Sequence, residues 1–507
     1  MTQQDTSMSS GPYTLTAQDV EPALDYGDPP AVRAAGNTNP DVLKAVLERG
    51  WLQSPYYNPN DSSLARQYGP DAFMPVLNNG GGDSPLLRAI RHHLPENVNT
   101  LLSAGADPNG LPAWILSDSV AATTGSLAYQ RPGPPGNIHP FWSSAMSNFQ
   151  VDKLITQAVV AVETAAAEGL DNIIDQLVNH GADITSWKVA SPTPLPNSSL
   201  PSCLSASSPL HAAIAGRHNT TLGHLLSPPL LLNPNFIPLG PPVRRLTPPM
   251  QCLCTTPPNF EALAILLANS VCDAGTRTPE FGVHLAHFAA APLSPSALRQ
   301  LHAILRDAGT TSRGHTLLHV ACMPGDETQI NVFAPKVYRS VRFVRTLDPA
   351  WKPIRLHATC PQRAHTLAPD VQVLGPQLET PLFPPQDDGF FDAQIQVLSL
   401  LMETFGSEEK GQPGEEESRG GRKRMKDLVR QRDVDDNTAL HFLAGYRIFN
   451  MRVVEMLRAA DELDEGGEDG DAAAGGLWET ATNRWGYTPR DLFEDGTRAT
   501  EARHMKR

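Results

Sequence analysis

One short phrase recurs along the chain and constrains its fold more than any other feature. Ser208–Ile214 reads Ser-Pro-Leu-His-Ala-Ala-Ile, and a hydroxyl residue followed by apolar residues, a histidine and small residues returns at Thr316–Ala321 and Thr438–Ala444. A hydroxyl residue before Pro starts a helix well, because its oxygen caps the first turn and Pro has no N–H to leave unpaired there. The phrase therefore predicts a recurring short helix.

Each phrase opens a longer unit of two helices and a turn. The units that start at 208, 247, 284 and 316 begin 39, 37 and 32 residues apart. A second apolar stripe follows each start, as at Leu222, Leu225 and Leu226. A period in the thirties with two helices per unit predicts an all-α helical-repeat solenoid, in which each unit buries its stripe against its neighbours.

These phrases resemble those of ankyrin repeats. Ser208–Ala213 is similar to the T-P-L-H-x-A signature of that family, Leu101–Asp107 resembles its helix end and turn, and Asn483–Leu492 resembles its turn and next helix start. About seven to eight units follow the family's ~33-residue period, several of them degenerate. The resemblance implies an ankyrin-type solenoid, with long irregular insertions, whose surface binds other proteins.

The repeats do not fill the chain, and we expect five regions. They are a flexible tail at 1–26, a repeat array with Pro/Gly/Ser-rich connectors at 27–322, a long insertion at 323–433, C-terminal repeats at 434–496, and a flexible tail at 497–507. Apolar periodicity in the insertion predicts helices at about 337–347 and 391–405, followed by a charged flexible segment. The insertion leaves open whether the array forms one stack or two.

Composition and charge narrow the class of protein. A formal net charge of −14 argues against direct nucleic-acid binding, since the phosphate backbone attracts basic surfaces. The most apolar run, Ile155–Ala167, is too short to span a bilayer, and the N-terminus lacks the basic and apolar regions of a secretory signal. We therefore expect a protein of the cytoplasm or nucleus, neither secreted nor membrane-bound, whose six cysteines include reduced core thiols.

The repeated histidines suggest a metal site, but their spacing argues against one. They occur once per unit, so neighbouring imidazoles lie about 10 Å apart, the thickness of a packed helix layer, whereas Zn–N bonds measure ~2.0–2.1 Å. We expect each of these imidazoles to hydrogen-bond to a neighbouring turn instead. They are His211, His287, His319 and His441.

Other residues that could carry chemistry also have a structural interpretation. Asp107, Asp183 and Asp273 follow helices, where Asp bonds its own backbone. The pair Cys252-x-Cys254 lies in an apolar helix with no further ligands nearby. The chain contains no nucleotide-binding, hydrolase, metalloprotease or kinase signature, so we expect no catalytic residue, cofactor or metal. An enzyme with its site near His357, Cys360 and His365 is the alternative, without a supporting motif.

We therefore expect a non-catalytic scaffold or adaptor that binds one or more proteins as a monomer. Its contacts would come from exposed side chains on the first helices and at the turns: Arg88, Arg91, His92, Arg217, His218, Tyr446 and Arg447. The alternative is a nuclear regulatory protein that binds a transcription factor through the repeats. A basic cluster at 419–426 would then drive nuclear import, through Arg422, Lys423, Arg424 and Lys426.

Overall fold

The chain folds into two compact units, Met1–Leu232 and Asn233–Arg507. The computed structural model describes residues 30–49, 74–75, 82–110, 161–190, 208–238, 245–255, 257–279, 281–323, 334, 337, 388–406, 424–446, 450–462 and 476–504. Within these residues the fold is all-α, as the repeats predict, apart from short stretches such as the bridge between Arg277 and His284 and two short antiparallel strands. The strands are β1 (Met74–Pro75) and β2 (Gly82–Asp83).

The described part of the first unit is a stack of four helix pairs. The first helix of each pair, termed the inner helix, packs against the inner helices of neighbouring pairs. The second helix, termed the outer helix, lies in the same order along the stack. The inner helices are α1 (Pro30–Ala35), α3 (Pro85–Arg91), α5 (Ala161–Ala167) and α7 (Pro209–Gly216). The outer helices are α2 (Pro40–Arg49), α4 (Pro95–Ser103), α6 (Asp171–Asn179) and α8 (Asn219–Leu226).

Local sequence explains where these helices start and why they stack. Ser84 and Ser208 accept the backbone N–H three residues on, and Pro follows each of them in the first turn. Each outer helix buries an apolar side chain completely, such as Leu101 in α4 and Ile174 in α6. Burying one such side chain contributes about 1.5–3 kcal/mol, and a single pair cannot bury it alone, so stability comes from stacking.

The described part of the second unit repeats the arrangement and ends with an additional inner helix. The inner helices are α9 (Pro248–Cys254), α11 (Leu285–Ala290), α13 (Leu317–Ala321), α15 (Ala439–Ala444) and α18 (Pro489–His504). The outer helices are α10 (Phe260–Ala268), α12 (Pro295–Gln300), α14 (Asp388–Gly406) and α16 (Met451–Glu462). A short helix, α17 (Leu477–Thr480), connects α16 to α18. Because α18 continues to His504, the prediction of a flexible tail from residue 497 is wrong for residues 497–504.

The predicted insertion separates the two helices of one pair. α13 ends at Ala321 and α14 begins at Asp388. Nevertheless α14 packs against α13 and against the outer helices α12 and α16, while α13 packs against the inner helices α11 and α15. The stack therefore continues through the interruption, and the helix predicted at 391–405 is the outer helix of this pair. Of the helix predicted at 337–347, only Val337, which is buried, lies among the described residues.

A side chain replaces the tight turn at the end of α13. In α7, the carbonyl of Ala213, five residues after the capping serine, accepts the N–H of His218 from the connecting turn at 2.9 Å. The equivalent carbonyl in α13 belongs to Ala321, and its donor is Nε2 of Gln394 in α14, at 3.1 Å. Gln394 is completely buried, so this bond joins the two helices of the pair, α13 and α14, within the core.

Two further side chains complete this buried polar cluster. Tyr446, just after α15, donates its hydroxyl to the carbonyl of Cys322 at 2.7 Å. Asn450 donates its amide to Oε1 of Gln394 at 3.3 Å. Phe390 in the first turn of α14 packs edge-on against Tyr446, with ring centroids 6.5 Å apart. The N-terminal part of α14 is thereby attached to the ends of α13 and α15.

The turns before the last three inner helices form a continuous row, termed the turn row. It consists of Thr311–His315, Asp433–Asn437 and Asn483–Tyr487. In each turn the first side chain accepts the N–H groups of the third and fifth residues, and the fourth residue is left-handed. Backbone bonds of 2.9 Å, from Val434 N to Arg313 O and from Arg484 N to Asp435 O, join one turn to the next.

Candidate functional site

Three histidines connect each helix start to the next turn in the second unit. Nδ1 of His319 accepts the backbone N–H of Thr316 at 3.2 Å and lies 2.8 Å from its hydroxyl, and Nε2 donates to the carbonyl of Asn437 at 3.0 Å. His287 and His441 make the equivalent bonds to the carbonyls of His315 and Tyr487. The predicted role of the repeated histidines is confirmed for these three, termed the histidine ties: His287, His319 and His441.

The histidine ties require neutral imidazoles. Because Nδ1 accepts a backbone N–H, the single ring proton lies on Nε2, and a second proton at Nδ1 would face that donor. Burial lowers the pKa of His287 to about 3, and burial likewise lowers the pKa values of His319 and His441 to about 4. These imidazoles therefore stay uncharged at neutral pH, and their hydrogen bonds connect one helix pair of the stack to the next.

The predicted structural interpretations of other polar residues also hold. The carboxylates that were expected to bond their own turns each accept the backbone N–H two residues on, at 2.9 Å: Asp107, Asp183 and Asp273. Cys252 and Cys254 are buried, and burial raises the pKa of the Cys252 thiol well above its usual value. Within the described residues no three His, Cys, Asp or Glu side chains are grouped closely enough for a metal ion.

Five of the predicted contact residues lie at the ends of inner helices in the first unit. Arg88 and Arg91 are one turn apart on α3, and His92 caps that helix. Arg217 caps α7, and His218 follows it before α8. Arg91, His92 and Arg217 are exposed, and the other two are partly exposed. We term these five residues the cationic edge.

The equivalent positions in the two units differ sharply in exposure. Seven residues after the capping residue stand Arg91 and Ala215 in the first unit, both exposed. The same position in the second unit holds Ala291 and Met323, which are 0% and 1% exposed. The inner helices α11, α13 and α15 are buried at every residue. Side chains at this end of the inner helices therefore reach solvent in the first unit and not in these three pairs of the second.

The prediction that Tyr446 is an exposed contact residue is wrong. Its side chain is 0% exposed, because its ring packs on Phe390 and its hydroxyl bonds to the Cys322 carbonyl in the buried cluster beside α14. The aromatic ring therefore contributes to the core of the second unit. Arg447, predicted beside it, lies outside the described residues.

One residue beside the cationic edge was not predicted from the sequence. His93 follows His92, is exposed, and pairs with Glu168 of the next helix pair, with 3.1 Å between Nε2 and Oε2. The backbone of His93 is in the left-handed region, with φ 56°, and so is the backbone of Arg217, with φ 61°. Both stand nine residues after a capping serine. Equal spacing from that serine is the signal that identifies the position.

The predicted import cluster is only partly described. Residues 424–430 are helical, although the segment was expected to be flexible. Arg424 is exposed and Lys426 partly exposed, while Met425 between them is buried. Arg422 and Lys423 lie outside the described residues, so import through this cluster stays a prediction.

Several other sequence-based expectations also concern residues outside the described part of the chain. They include the N-terminal tail, Cys203, and the alternative site at His357, Cys360 and His365. Among the helices that are described, none combines the length and the apolar character needed to cross a membrane.

Comparison with known proteins gives a structural likeness. No known family and no curated protein matches the sequence. Among solved structures, the chain is similar to the ankyrin repeat domain of human ASB11, with 16% sequence identity, a TM-score of 0.32, and coverage of 57% of this chain and 90% of that one. Within the described residues, the helix pairs, the histidine ties and the turns form an all-α helical-repeat fold.

Proposed function

We propose that the chain is a non-catalytic protein-interaction scaffold that binds its partner through the cationic edge of the first unit. The observation that carries this proposal is the difference in exposure between the units. The end of the inner helices presents Arg91 and Ala215 to solvent in the first unit, whereas Ala291 and Met323 are buried at the same position in the second. Binding by side chains requires that they reach solvent.

The chemistry of the cationic edge supports this role. Arginine is enriched among the residues that dominate interface affinity, because its planar guanidinium forms paired hydrogen bonds and stacks on flat groups. Arg88 and Arg91 are held on a helix whose start is capped by Ser84 and Pro85. A rigid backbone lowers the entropy lost on binding. The partner is a protein, and the scaffold acts as a monomer.

Charge reversal tests the proposal directly. We expect the double variant Arg91→Glu, Arg217→Glu to lose most of the proteins that the wild-type chain captures in a quantitative affinity purification. The melting temperature should stay within about 4 °C, because substitutions of exposed residues usually change stability by less than about 0.5 kcal/mol each and 1 kcal/mol corresponds to about 2–4 °C at this size.

A matched control separates this effect from a general change in charge. Lys44→Glu on the outer helix α2 and Arg299→Glu on the outer helix α12 make the same charge change at exposed positions that are not among the five residues of the edge. That control should retain capture. If the edge variant captures the same proteins as the wild type, the cationic edge is not the binding surface.

A second candidate function is a nuclear regulator that binds a transcription factor. Arg424, exposed at the start of the helical segment 424–430, is the structural observation that favours it. Replacing Arg422, Lys423, Arg424 and Lys426 with Ala should then exclude a fluorescent fusion from the nucleus. A wild-type fusion that stays cytoplasmic when nuclear export is blocked would refute this candidate.

A further inference from the structure

The cationic edge contrasts with the charge of the whole chain. The protein has 54 acidic side chains against 40 lysines and arginines, yet three of the five residues of the edge are arginines. Arginine favours carboxylates because its guanidinium offers parallel N–H donors to both oxygens. The charge of the edge is therefore complementary to an acidic ligand.

The edge consists of two cationic groups with a fixed separation. Arg88, Arg91 and His92 form one group at the end of α3, and Arg217 and His218 form the other at the end of α7. α5 lies between these helices and packs against both. With helix axes about 8–10 Å apart, the two groups are separated by about 16–20 Å.

This separation corresponds to a short length of extended peptide. A strand rises about 3.3 Å per residue, so about five or six residues span the two groups. We infer that the cationic edge binds an extended acidic peptide segment of a partner protein, with one carboxylate cluster on each cationic group. The inference rests on the proposed function, for which it names the chemistry of the partner.

A designed peptide tests this inference without knowledge of the natural partner. The probe is a fluorescein-labelled peptide with two pairs of glutamates joined by a Gly-Ser spacer of about four residues, which matches the estimated separation. Its fluorescence anisotropy is titrated with the full chain at low salt, where exposed charges are weakly screened. The comparison peptides carry glutamine in place of glutamate, or the same four glutamates without the spacer.

We expect the spaced acidic peptide to bind at least tenfold more tightly than the glutamine peptide and more tightly than the unspaced one. The variants Arg91→Glu and Arg217→Glu should each weaken binding at least tenfold, while Lys44→Glu and Arg299→Glu leave it unchanged. Equal binding of the acidic and glutamine peptides overturns the inference, and so does equal loss in the edge and control variants. If captured proteins are still lost from the edge variant, the proposed function survives and only the acidic partner is refuted.

Discussion

Replacing Gln394 with leucine tests whether a buried side chain can take the place of a turn. The variant keeps the approximate size of the side chain but removes the Nε2 donor that bonds to the Ala321 carbonyl at 3.1 Å, and the Oε1 acceptor for Asn450. A buried polar group left without its partner costs about 1–3 kcal/mol. We therefore expect the second unit to lose about 2–3 kcal/mol of unfolding free energy.

That loss is large enough to measure by calorimetry. In domains of 150–250 residues, 1 kcal/mol shifts the melting temperature by about 2–4 °C, so Gln394→Leu should lower the transition of the second unit by about 4–12 °C. The matched control is Gln396→Leu, which makes the same substitution at an exposed position of the same helix. Hydrogen exchange should also rise in α13, whose last carbonyl loses its donor.

A second substitution links the effect to the buried cluster. Tyr446→Phe removes only the hydroxyl that donates to the Cys322 carbonyl at 2.7 Å. We expect it to cost about 1–2 kcal/mol, with non-additive loss in the double variant, since residues in one hydrogen-bond network couple. The reasoning is refuted if Gln394→Leu melts within 1 °C of Gln396→Leu.

Three further predictions follow from the packing. Between pH 6.5 and about 4, the histidine ties bind protons only in the unfolded state. Each tie should therefore lower the free energy of unfolding by about 1.4 kcal/mol per pH unit as the pH falls through that range. A urea midpoint that does not change between pH 7 and 4.5 would contradict this. Arg277 donates to four backbone carbonyls, and Arg277→Lys should cost about 1–3 kcal/mol in urea unfolding, because one ammonium cannot reproduce that fork. Gly169→Ala should destabilise the first unit more than Gly181→Ala. Both glycines have a positive φ, but only at Gly169 would the new methyl group meet the ring of His218. Equal melting temperatures of the two variants would contradict this contact.

Local patterns made much of the stack predictable from the sequence. One histidine at the same place in each phrase predicted the bonds to neighbouring turns, and the recurring hydroxyl residue predicted the helix starts, because a capping side chain bonds only three residues along the chain. The turn carboxylates were predictable for the same reason, since Asp107 and its equivalents bond only two residues along the chain. The cationic edge was predicted in part, from the polar residues that follow Ile90 and Ile214 in the repeated phrase.

Contacts between distant residues could not be predicted in the same way. Tyr446 follows a repeated phrase, as Arg91 and Arg217 do, so its position suggested exposure. Its burial depends on α14, which begins 58 residues before Tyr446 and after the interruption. Likewise nothing near Ala321 indicates that its hydrogen-bond donor is Gln394, because that contact exists only once α14 has packed against α13. The pairing of helices across the interruption is a tertiary property.

The two edges of the second unit differ in how freely their sequence can lengthen. At the turn row, each five-residue turn bonds through its backbone to the next, so an added residue would break the row and change the rise from one pair to the next. At the opposite ends of the inner helices, Gln394 closes a pair whose helices are 66 residues apart in the chain. Chain length is therefore no measure of the height of this stack, since the longest interruption between two successive helices of this unit lies where Gln394 replaces a turn and leaves the packing of the pair intact.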